Sequence, residues 1–128
     1  MPGSFRWISE EAVLAMHQRQ IAEHGGQDGV RGLGLLSSVL ARPKNIHAYK
    51  PDTDIAELSA AYAFGITKNH PFIDGNKRTS LVVLRTLLIF NGRNIEATPG
   101  DKYLTFLKLA EGTLSEEELV DWIRDKLV

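Results

Sequence analysis

His70-Pro71-Phe72-Ile73-Asp74-Gly75-Asn76-Lys77-Arg78 runs directly into Thr79-Ser80-Leu81-Val82-Val83-Leu84-Arg85-Thr86-Leu87-Leu88-Ile89-Phe90. The first part packs one imidazole, one carboxylate, one carboxamide and two cations into a short polar stretch. The second part is apolar on nearly every face, which reads as a buried helix. A polar loop that opens such a helix suits an anion such as phosphate. The first N–H groups of the helix lack internal partners and carry the positive end of its dipole. Gly75 lets backbone approach a ligand closely, and Lys77 and Arg78 add full charges beside those N–H groups. The plainer alternative is an ordinary turn with Asp74 as N-cap. Two cations in the first turn of a helix oppose the dipole unless an anion compensates, which favours the anion site.

Working outward, the stretch before His70 also reads as helix. Asp54, with Glu57 three residues on, has the pattern of a capping box. Ile55, Leu58, Ala61, Tyr62 and Ile66 then recur at helical spacing to about Asn69, delivering Lys68, Asn69 and His70 into the loop. Further upstream, Ser9-Glu10-Glu11 offers an N-cap and an acidic first turn, and Val13, Leu14, His17 and Ile21 share one face until Gly25-Gly26. His17 and His24 read most simply as a helix-face residue and a last-turn residue. Residues 27–34 carry three glycines and read as a flexible loop. Residues 35–41 predict a short helix ended ahead of Pro43. Residues 45–51 read as a loop, either a flap over the central loop or a plain connector. Downstream, Asn91-Gly92 ends the buried helix and residues 94–98 form a brief extended piece. Residues 101–111 predict a helix stopped by Gly112. Ser115 and Glu118 form a second capping box, and Leu119, Trp122, Ile123 and Leu127 mark the apolar face of a last helix.

The whole predicts an all-α fold, a compact bundle of about six helices forming one domain over residues 1–128. The 128 residues suffice for a real core, and 43% hydrophobic with 24% charged content is ordinary for a globular protein. The formal net charge of −1 gives no electrostatic signal for direct nucleic-acid binding. With no cysteine, disulfides, thiolate nucleophiles and zinc–sulfur sites are excluded. No apolar run reaches the roughly 18 residues of a membrane span, and Arg85 interrupts the nearest one. The start of the chain lacks a basic-then-apolar signal peptide, so the expected location is the cytoplasm, with no membrane partner.

The nine-residue stretch resembles the signature of the Fic/Doc superfamily, H-x-F-x-[D/N/E]-[A/G]-N-x-R. Its Asn76-Lys77-Arg78 ending is similar to the death-on-curing (Doc) toxin branch. The resemblance extends to Gly32-Leu33-Gly34-Leu35-Leu36 through Ala41-Arg42-Pro43, and to Ala60-Ala61-Tyr62-Ala63-Phe64-Gly65. Fic adenylyltransferases have Gly at the position of Lys77 and a second Arg at the position of Leu81. The Doc pattern implies the opposite seating of ATP and transfer of its γ-phosphate. The implied target is a threonine of elongation factor Tu, and translation would stop. It also implies a cognate antitoxin, Phd-like or another small repressor. The inhibitory [S/T]-x-x-x-E-[G/N] pattern of many Fic proteins is absent from this sequence, so restraint is expected from that second chain. Doc-like chains commonly carry acidic residues after the Arg that Arg31 resembles, where this chain has Gly32 and Leu33.

The residues of the stretch suit those steps. His70 has an imidazole whose ordinary pKa near neutrality lets it accept a hydroxyl proton, the one catalytic role assigned. Asp74 supplies a hard oxygen ligand for Mg²⁺. Gly75, Asn76, Lys77 and Arg78 are the expected phosphate and ATP contacts, with Lys68 as a weaker one. Phe72 and Ile73 are expected to anchor the loop to the core. The competing readings are Fic-type transfer of AMP from ATP, a non-catalytic antitoxin-binding module, and a metal-dependent nuclease. The single carboxylate in the motif disfavours the last.

Overall fold

A computed structural model describes residues 5–128, and the reading of the chain's first residues falls largely outside them. Six helices follow in order: α1 (Glu10–His24), α2 (Leu33–Tyr49), α3 (Ile55–Asn69), α4 (Asn76–Phe90), α5 (Pro99–Glu111) and α6 (Glu116–Lys126). The described residues form no strand. Two isolated antiparallel bridges join Val30 to Phe72 and Ile95 to Leu127. The second of these is the extended piece expected at residues 94–98. The all-α bundle expected from the sequence is the fold.

Most helix starts follow from local chemistry. Ser9, Asp54, Thr98 and Ser115 each accept a backbone N–H of the first turn, which satisfies a donor the helix cannot. The reciprocal capping box forms at Ser115 and Glu118. At α3 only half of it forms, because the Glu57 carboxylate pairs with Arg124 and Lys50 instead.

The most deeply buried helix is α3 rather than α4. Eleven of its residues are buried, and it packs against α2, α4, α5 and α6. Small side chains make this possible. Ala60, Ala61, Ala63 and Gly65 let neighbouring helices come close, and Val39 of α2 stands 3.0 Å from where a Cβ on Gly65 would lie. In α4, Thr79, Val83, Leu84, Leu87 and Leu88 face the core, whereas Arg85, Ile89 and Phe90 face solvent. It is therefore buried on one side only, and its solvent face mixes Arg78 and Arg85 with the apolar Ile89 and Phe90.

Two expectations are corrected between α1 and α3. Helix α2 does not stop before Pro43 but runs through it to Tyr49. An internal proline costs a helix about 3 kcal/mol or more through the lost N–H and the ring's clash. Tertiary packing offsets that here: Pro43 is buried, and His47 sits edge-on to Phe5 and beside Trp7, with ring centroids 4.9 and 5.8 Å away. Most of residues 45–51 is consequently the last turn of α2, not a flap. Replacing Leu84 by Ala, which empties a fully buried site on the helix that follows the polar loop, should lower unfolding free energy by about 3 kcal/mol. Denaturant titration measures this.

Candidate active site

The loop from His70 to Gly75 joins the two helices at the centre of the bundle. Arriving from α3, His70 turns the chain with φ 49° and ψ 60°, and it is the one non-glycine residue of positive φ among the described residues. Left-handed backbone is uncommon for a side chain of this kind and must be held by its surroundings. Arg31 holds it, donating from Nε to the His70 carbonyl at 2.8 Å and from Nη2 to the Asn69 carbonyl at 2.7 Å. Those are orphan carbonyls at a helix C-terminus, where a cation is favourable.

The segment before Arg31 continues the grip. Arg31 donates its backbone N–H to Pro71, and Ile73 donates its own to Gly29, so two extended pieces lie side by side. The stretch read as a flexible loop is thus the brace of the site, and Arg31 has a polar role despite Gly32 and Leu33 behind it. Asp74 is reached from the same segment. Its Oδ2 accepts Gln27 N–H at 3.2 Å while Oδ1 accepts Gly75 N–H at 2.8 Å. These backbone donors, first Gln27 and then Gly75, hold the Asp74 carboxyl below its usual range, with help from Arg78 and His17. Gly26 is needed for this approach: its φ is +114°, and a Cβ there would stand 2.7 Å from Asp74 Oδ2.

From below, His17 of α1 carries the loop. The buried ring donates from Nε2 to the Asp74 carbonyl at 2.7 Å, which places a proton on that nitrogen. It stacks on Phe72 with centroids 3.8 Å apart and planes 6° from parallel, and Nδ1 stands 3.9 Å from Asp28 Oδ1. Asn76 completes the clasp. Its Oδ1 accepts Phe72 N–H and its Nδ2 donates to the Phe72 carbonyl, at 3.0 and 2.9 Å. The Asn76 side chain is buried in these bonds, although the residue lines the cavity above. Phe72 anchors in the core as expected, whereas Ile73 lies exposed over Gly29.

That cavity measures about 410 Å³ and is lined by His70 and residues 73–78. Helix α4 enters it without a side-chain cap, since its N-cap is Gly75 at φ 78° and not Asp74. Lys77 and Arg78 stand at the same end, so two cations and the helix N-terminus face one space beside an ionised carboxylate. Electrostatically this is a place for an anion. Of the residues singled out in the sequence, His70, Asp74, Gly75, Asn76, Lys77 and Arg78 are brought together. Lys68 is not: it lines a neighbouring hollow with His70, its Nζ 5.5 Å from the Phe64 ring. Sequence reasoning passed over His17 and Asp28. The available signal was a histidine on an otherwise apolar helix face, which alone reads as core.

The donor set fits Mg²⁺ in one way only. Among the described residues no three His, Cys, Asp or Glu side chains gather into a metal cage. Asp74 is exposed and ionised, and each oxygen accepts one backbone N–H, leaving lone pairs for a cation that also takes phosphate and water oxygens.

The Fic/DOC family profile matches residues 7–88, and the chain belongs to that family. Over 119 residues it is 33% identical to the protein kinase doc of Escherichia phage P1, covering 93% of this chain and 94% of that one. It is also 34% identical over 74 residues to the toxin Doc of Mycolicibacterium smegmatis, 57% of each chain.

Two outcomes test the brace. His17→Phe preserves an aromatic ring against Phe72 but removes the donor to Asp74, so the protein should fold with about 1–3 kcal/mol less stability. Hydrogen exchange should speed up at the start of α4, and His17→Gln, which restores a donor, should recover part of the protection. For Asp74 the folded pKa lies below the ordinary 3.8, so its bonds stabilise the loop at all higher pH and are lost as pH falls through the lowered value. The amide shifts of Gln27 and Gly75 should therefore titrate together with a midpoint below 3.8.

Proposed function

We propose that this protein is the toxin of a toxin–antitoxin pair and acts as a protein kinase. It transfers the γ-phosphate of ATP to a threonine hydroxyl of elongation factor Tu and so arrests translation. The observation that carries this reading is the cavity itself, where His70 stands beside an uncapped helix start, Lys77, Arg78 and an ionised carboxylate. Phosphoryl transfer is mostly positioning and charge stabilisation, which such a set provides. Similarity along nearly the whole chain to a relative named as a protein kinase favours phosphate over AMP as the transferred group.

In this reading His70 takes the proton of the attacking threonine hydroxyl. As the Oγ–P bond forms, the bond from the γ-phosphorus to the bridging oxygen breaks and ADP leaves. Gly75 and the backbone N–H groups after it receive phosphate oxygens. Lys77 and Arg78 neutralise the polyphosphate, Arg78 through its planar fork. Asn76 acts by shaping the loop from within. Asp74 would hold Mg²⁺, which when bound neutralises charge on the phosphates. Lys68, on the far side of His70, is better suited to the incoming protein than to ATP. The partner that restrains the enzyme is an antitoxin, a Phd-like or other small repressor, whose bound segment would cover the site.

The test is incubation of purified elongation factor Tu with this protein, ATP and Mg²⁺, using nucleotide labelled at either end. Label from the γ-phosphate should appear on a threonine of the factor, and label from the α-phosphate should not. His70→Ala should abolish transfer and growth arrest while leaving thermal stability near that of the parent, because His70 is exposed. Transfer of α-label would replace this reading with AMP transfer, the activity of the Fic enzymes whose motif this one resembles.

A further inference from the structure

A second hollow, of about 350 Å³, lies among the last turns of α3 and α5 and the turn into α6, and His70 is the one residue that lines both it and the anion cavity. Their electrostatics are opposite. The anion cavity has the N-terminus of α4 and two cations. The hollow has two helix C-termini, of α3 at Asn69 and of α5 at Glu111. Among the described residues, the carbonyls of Thr67, Lys68, Ala110 and Glu111 in its lining accept no hydrogen bond. In α3 the cause is Pro71, which has no N–H for Thr67, and Phe72, whose N–H goes to Asn76. In α5 the next N–H groups, of Thr113 and Leu114, both turn back to Lys108. Orphan carbonyls and the negative ends of two dipoles disfavour phosphate and favour N–H donors. Phe64, Leu109 and Leu114 supply apolar surface, and the hydroxyl of Thr67, a residue 3% exposed, has no partner among the described residues. Lys68 and Glu111 are exposed, one charge of each sign, and neither has an ion-pair partner among the described residues.

A space that offers acceptors to backbone N–H groups, apolar surface to a side chain and one charge of each sign fits a stretch of polypeptide. We propose that this hollow docks the segment of the acceptor protein that carries the threonine. The proposal rests on reading the anion cavity as the phosphate-donor site and adds where the acceptor binds. The imidazole of His70 then stands where the two spaces meet, with phosphate held in one and the hydroxyl delivered from the other. Backbone N–H groups of the segment reach the free carbonyls at the ends of α3 and α5. An apolar side chain next to the threonine settles on Phe64, Leu109 and Leu114. Lys68 and Glu111 favour flanking side chains of opposite charge to their own. The hollow is thus a specificity determinant for which hydroxyl is modified.

The experiment measures γ-phosphate transfer to purified elongation factor Tu, with calorimetric binding of Mg·ADP alongside, for the parent, Ala110→Trp, Ala110→Ser and Glu111→Arg. Ala110 and Glu111 are exposed at the end of α5 and do not line the anion cavity, so the variants should fold, which melting curves check. Ala110→Trp fills the hollow and should raise KM for the factor about tenfold, with Mg·ADP affinity changed by less than about twofold. Ala110→Ser should behave as the parent does. Glu111→Arg should raise KM for the factor about threefold, an effect that shrinks as salt is added. If Ala110→Trp melts early, Glu111→Arg carries the same test. The parent's KM for the factor in both folded variants overturns the proposal and leaves the kinase reading standing. Equal weakening of Mg·ADP and of the factor also overturns it, because the hollow would then serve the nucleotide. A fall in kcat at unchanged KM overturns it too, because the new side chain would then act only by displacing His70. A parent that binds Mg·ADP but labels no threonine of the factor overturns the kinase reading and the docking site with it.

Discussion

The two hydrogen bonds between the Asn76 carboxamide and the backbone of Phe72 close the turn on which everything else rests. They fix the loop as a ring of five residues, with Phe72 at its buried end and the first residue of α4 at the other. Once Phe72 is in the core, worth about 1.5–3 kcal/mol by burial alone, the ring has one orientation relative to the bundle. The uncapped end of α4 then opens outward. Each further tether — Arg31 to the α3 carbonyls, Gln27 to Asp74, His17 to the Asp74 carbonyl — removes a way for the loop to relax. A site whose chemistry depends on oriented N–H groups needs that rigidity more than it needs any single contact.

The sequence was most informative where structure follows from neighbours in the chain. The caps at Ser9, Asp54 and Ser115, the glycine stops at Gly25 and Gly112, and the chemistry packed into residues 70–78 are local properties. What escaped it is tertiary. Pro43 reads as a stop because its cost is local, whereas Phe5, Trp7 and His47, which hold the next turns in place, are far apart in sequence. Gly25-Gly26 reads as a helix stop, yet Gly26 is also there because Asp74 leaves no room for a side chain. His17 illustrates the same limit. A buried histidine and a buried phenylalanine are each unremarkable, and only their stacking across 55 positions shows that one steadies the other.

Around the start of α4, local rules are broken, and always in the same direction. His70 adopts a backbone conformation that costs about 1–3 kcal/mol in ordinary residues. Helix α4 lacks the side-chain cap that four of the other helices use, a loss of about 1 kcal/mol, and it carries two cations where its dipole favours anions. In the absence of ligand these terms all destabilise, and the buried face of α4 together with the clasp at Asn76 has to outweigh them. An anion at the start of α4 removes most of that burden at once, since it accepts the free N–H groups and neutralises Lys77 and Arg78 together. Binding of an anion should therefore draw on strain built into the site. Lys77 Nζ, 5.2 Å from the Tyr103 ring centroid, gains a partial relief of the same kind.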